Sequence, residues 1–167
     1  MSDPDTAWQA WLGTLDSPQR DTAQQLRTRF EALGVPDAAD LARSQISEDL
    51  PHLARHLLLR SLWNESINPW ATPGALEQLP AAQRLLAAGA DPSELATLAR
   101  AVAYECVFTT LEGLDHASDA STFRTATGWA VMERGEDGTP TGRTLAGLHE
   151  DLLTTDPSGH DGADLWT

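Results

Sequence analysis

Apolar residues recur every three or four positions along most of this chain, and prolines and glycines cut the recurrence into helix-sized blocks. Trp8, Trp11, Leu12 and Leu15 share one helical face, with Asp5 or Thr6 placed to cap it. The stretch SPQRDTAQQLRTRFEALGVP puts Ser17 at a cap, Pro18 at the first helical position and Gly34 with Pro36 at the stop. DAADLARSQI predicts a shorter helix. Ser47, followed by Glu48, Asp49 and Leu50, predicts the start of a longer one that runs to about residue 67 and ends before Pro69. Two short helical turns are expected over residues 75–79 and 81–88, closed by Gly89, after which Asp91 caps a new helix with Pro92 in its first turn.

That next helix, residues 93–114, is apolar on nearly every side. Only a narrow stripe through Glu94, Glu105 and Glu112 is consistently charged, which predicts a central helix surrounded by the others. DHASDASTFRTATG reads as a loop. Beyond it Trp129 and Val131 alternate with Ala130 and Met132, and Asp137-Gly138 supplies a turn signal, so a β-hairpin is expected near residues 129–145. Leu145, Leu148 and Leu152 then predict a short helix over residues 145–153, capped by Thr144, and residues 155–167 read as an irregular acidic tail. The fold expected is mainly α: a single helical domain over residues 1–167, bundle-like, with six to eight helices and one small hairpin near the C-terminus. A chain of this length buries roughly 70% of its unfolded surface in one core.

Charge narrows the function. The net charge of −14 comes from 25 acids against 11 bases, and every base is Arg, a bias that GC-rich codon usage produces. Without lysine there is no Schiff base, no lysine general base and no phosphate-loop lysine. Residues 105–167 hold twelve acids and only Arg124, Arg134 and Arg143, so the last third is the negative end. No basic cluster exists to neutralise a phosphate backbone or an anionic membrane surface, so neither nucleic acid nor membrane is an expected partner. A basic protein fits the field. The start MSDPDTAWQAWLGTLDS lacks a cationic segment followed by an apolar one, no apolar run reaches bilayer length, and Cys106 is the only cysteine; a cytoplasmic protein is expected.

Candidate chemistry is sparse. His52 and His56 are four residues apart with Asp49 one turn earlier, a spacing that on one helix could face a cation. His149 falls inside the apolar stripe of its expected helix, so its imidazole must point inward and find a partner. Glu150 follows it, but HEDLL lacks the second histidine of the H-E-x-x-H metalloprotease pattern. DPSGHDGAD fails the calcium-loop pattern, with Asp161 where glycine belongs and Thr167 where the closing glutamate belongs. Cys106 sits mid-helix where a small apolar residue packs. Of six tryptophans, Trp70 in NPWATPG and Trp166 in the tail lie on segments expected near the surface, where they either fold back or anchor a partner. The leading expectation is therefore a non-enzymatic, acidic interaction module, of the inhibitor or immunity type, that binds a basic protein and carries no cofactor. The alternative is a metal-binding helical protein or metal-dependent enzyme holding a divalent ion such as zinc through His52, His56 and His149, with Asp49 or Glu150.

Overall fold

The computed structural model describes residues 4–115 and 129–166, so the loop expected after Asp115 lies outside the described residues. Among them are six α-helices, α1 (Pro4–Leu12), α2 (Ser17–Ala32), α3 (Ala38–Ser47), α4 (His52–Leu62), α5 (Pro80–Ala87) and α6 (Pro92–Asp115). One antiparallel hairpin of β1 (Val131–Arg134) and β2 (Pro140–Leu145) completes the regular structure, and the mainly α class read from periodicity is the class adopted. No helix among the described residues is long and apolar enough to cross a membrane. By its contacts the chain divides into two compact units, Met1–Ala54 with Glu133–Arg143, and Arg55–Met132 with Thr144–Thr167.

The first unit is built on α2 packed against α3. Ala23, Phe30 and Ala42 are wholly buried, and Trp8, Leu12, Leu26 and Ala38 close around them. The α2 cap is Asp16, one residue ahead of the serine that the pattern favoured; its Oδ1 accepts the Gln19 N–H at 2.8 Å. Ser47 ends α3 instead of opening α4. Asp49 takes a left-handed φ of 55°, which stops the helix, and Pro51 precedes the restart at His52. The buried Gln45 then accepts the Leu53 N–H at 2.9 Å, one of the amides that a first helical turn leaves unpaired. Arg143 reaches Asp49 at 3.3 Å and also ion-pairs Glu133.

In the second unit α4 gives way to a π turn, Trp63–Ile67, and then to a 3-10 turn, Asn68–Ala71, that accommodates Pro69 in its first turn. Helix α6 packs on both, and on a further 3-10 turn, Ala163–Leu165. Trp63 is wholly buried and its indole N–H donates to the Leu152 carbonyl at 2.7 Å. Tyr104 lies 5.9 Å from Trp63 and 5.9 Å, edge-on, from Trp166.

Two expectations need correction here. Helix α6 is not surrounded by the described residues: Tyr104 and Leu111 are buried, but Leu98 and Val102 are 60% and 54% exposed and Cys106 is exposed too. Residues 145–153 form no α-helix. Leu145 ends β2, Gly147 turns the backbone at a φ of 63°, and Leu148, Leu152 and the 3-10 turn Leu153–Thr155 follow in turns. Leu145, Leu148 and Leu152 are buried all the same. The acidic stretch from Thr155 onward has neither α-helix nor strand among its described residues, and it packs, with Thr155, Asp156 and Leu165 all buried.

Candidate functional site

His149 points inward, and its partner is Asp115 at the last turn of α6. The Asp115 Oδ2 accepts from the ring Nδ1 at 2.7 Å and from the His149 backbone N–H at 3.3 Å. Phe108 meets the imidazole edge-on at 5.6 Å, and the side chains of His149 and Asp115 are only 17% and 8% exposed. The pair fixes the ring and fastens the 148–152 turns to the end of α6. Sequence reading identified His149 but missed Asp115. The available signal was electrostatic: a carboxylate in a helix's last turn faces the negative end of the dipole and needs a compensating partner.

The expected cation-facing set is distributed differently. Because α4 begins at His52, Asp49 lies outside the helix and its carboxylate engages Arg143. His52 Nε2 is 2.9 Å from Ser44 Oγ. His56 is half-buried, and burial, followed by the nearby Arg60 charge, pushes its pKa below the usual histidine value. Glu150 is exposed, while its neighbour Asp151 ion-pairs Arg55 at 2.8 Å and Arg55 also donates to the Gly147 carbonyl. Among the described residues no three or more His, Cys, Asp or Glu side chains are grouped to hold a metal ion.

The carboxylates of the C-terminal segment do structural work that their sequence does not announce. Asp156 accepts the Ser158 N–H at 2.9 Å, the Ser158 hydroxyl at 2.7 Å and the Gly162 N–H at 2.9 Å. Burial alone would raise its pKa; those hydrogen bonds, with the Arg100 charge, hold it below the ordinary carboxylate value instead. Arg100 itself ion-pairs Asp164 at 2.7 Å and donates to Asn68 Oδ1 at 3.0 Å. The DPSGHDG stretch is thus a closed loop held by its own aspartate.

The outward side of α6 carries exposed apolar residues. Leu98, Val102 and Cys106 recur every four residues along the uncovered side of α6, and Trp166, 57% exposed, stands beside them. A groove of about 610 Å³ runs between Val102, Cys106, Thr109 and Trp166. Glu105 lines it, and at roughly 100° per residue Glu112 falls on the same edge of the helix. Tyr104, beneath this face, has its pKa raised by burial and then by Glu105. Of the two tryptophans expected near the surface, Trp166 borders this groove and Trp70 is half-buried in the wall of another pocket. No family model, curated protein or solved structure matches the chain.

Proposed function

We propose that this protein is an acidic, non-enzymatic interaction module of the inhibitor or immunity type, and that the outer face of α6 docks a basic partner protein. The observation that carries the reading is the exposed stripe of Leu98 and Val102 on the same helix face as the groove that Val102, Glu105 and Trp166 line. Apolar side chains gathered on one exposed face mark interaction surfaces more often than chance placement does. The carboxylate edge and the net charge of −14 select a partner whose apolar contact is bordered by arginine or lysine.

The test is affinity capture from the lysate of the native cell, with the wild-type chain and a Val102→Asp variant as parallel baits at low and high salt. One basic protein should come down stoichiometrically on the wild type, weaken at high salt and be lost from the variant. The purified pair should then form the same complex. Val102 is on the surface, so the variant should melt within about 0.5 kcal/mol of wild type. Recovery of the same proteins on both baits, or of none, overturns the reading.

A further inference from the structure

The segment from Trp63 to Leu79 builds a second site, independent of the α6 face. Its π turn widens the helix so that the Asn68 N–H bonds to the Trp63 carbonyl, and such turns gather at functional sites because the extra residue shifts side chains out of helical register. Here the shift sends Trp63 and Ile67 fully inward, leaves Glu65 exposed and holds Ser66 half-buried. Pro69 starts the next turn, Gly74 reverses the chain at a φ of 87°, and the buried Leu76 pins the returning 3-10 turn Leu76–Gln78. These elements line an open depression of about 460 Å³, within the size range of small-ligand sites.

Its lining defines what fits. Pro69, Trp70, Ala75 and Leu79 are its apolar residues, Trp70 the one aromatic among them; Glu65, Ser66 and Gln78 are its polar residues. Among the described residues Glu65 is the only ionisable one of the lining, so an anion is repelled and a cation drawn in. A single carboxylate is too few for a bare metal ion, which takes several oxygen ligands. We infer that the pocket binds a guanidinium group. That cation is planar and stacks on an aromatic ring such as Trp70, and its fork of N–H donors suits the Glu65 carboxylate, with Ser66 and Gln78 able to accept the remainder. Either an arginine side chain of a protein or a free alkylguanidinium supplies this chemistry.

Titration of the 15N-labelled chain with N-acetyl-arginine methylamide tests it, with the neutral citrulline analogue as control. Saturable shifts should appear in the amides of residues 65–79, and citrulline should bind at least about tenfold more weakly. Glu65→Gln, an exposed substitution that leaves the fold intact, should remove the difference between the two compounds. Trp70→Leu should weaken the arginine compound about fivefold. An arginine flanked by alanines that binds more tightly than the single residue assigns the site to a polypeptide; equal affinity assigns it to a free guanidinium compound. Equal binding of arginine and citrulline, shifts centred elsewhere, unchanged selectivity in Glu65→Gln, or no saturable shift at tens of millimolar overturns the inference. Val102→Asp should leave this titration unchanged, so the α6 reading and this one fail separately.

Discussion

Asp115 and His149 lie 34 positions apart, and no local pattern could have paired them. The sequence put His149 on a helical stripe with Leu145, Leu148 and Leu152; that helix does not form, yet the three leucines are buried and the imidazole is largely covered. Its acceptor was not legible, since long-range pairing leaves no periodic trace. The pair makes a measurable demand at the scale of single residues. Asp115→Ala and His149→Ala should each cost about 1–3 kcal/mol, because each strands a largely buried polar partner. The double variant should cost clearly less than the sum, which urea unfolding of the four proteins measures as a coupling energy. Strictly additive losses would show that the contact contributes nothing to stability.

Elements whose ends carry their own punctuation were readable: α2 from Pro18 and Gly34, α5 from Gly89, α6 from Asp91 and Pro92. The Asp91 carboxylate accepts the Ser93 N–H at 2.7 Å and the Glu94 N–H at 3.3 Å, as a cap should. Ser47 misled because a serine followed by acids reads equally well as a helix start; the deciding event was the left-handed turn at Asp49. Residues 145–153 misled for a related reason. A strand end followed by turns can bury the same three leucines as a helix face, and only Gly147, crowded by Arg55 and Glu150, marks the difference. Gly162 closes the neighbouring loop at a φ of 70°, and a Cβ there would lie 2.8 Å from Leu153 Cδ2 and 3.5 Å from the Trp63 ring. Gly162→Ala should therefore lower stability by about 1–2 kcal/mol through left-handed strain and crowding together. A melting temperature equal to wild type would mean that the loop relaxes without cost.

For the whole molecule, acidity was legible from composition, but which acids are free to act on a partner was not. Asp156 and Asp164 are consumed by the fold, while Glu105 stays on the surface. Titration carries a second global signal. The folded state lowers the His56 pKa below its ordinary 6.5, so an unfolded chain takes up a proton that the folded chain refuses. Stability from this group is full above that value and falls as pH drops through 6.5 and below, down to the folded pKa. Melting temperature against pH should therefore slope downward on the acid side of neutrality, and His56→Gln should flatten that part of the curve. An unchanged slope in the variant would locate the linkage elsewhere.

The bond from the Trp63 indole to Leu152 spans 89 residues, and that distance is also a delay. On the ribosome, the residues around Phe30 emerge close together and can pack as they appear. Trp63, the largest fully buried side chain, has to wait for Leu152 and the loop closed by Gly162 to be synthesised. At typical elongation rates the wait is on the order of 5–20 s. For that interval the indole N–H lacks the carbonyl it bonds in the finished protein, so the π turn acquires its buried hydrogen bond only near the end of synthesis.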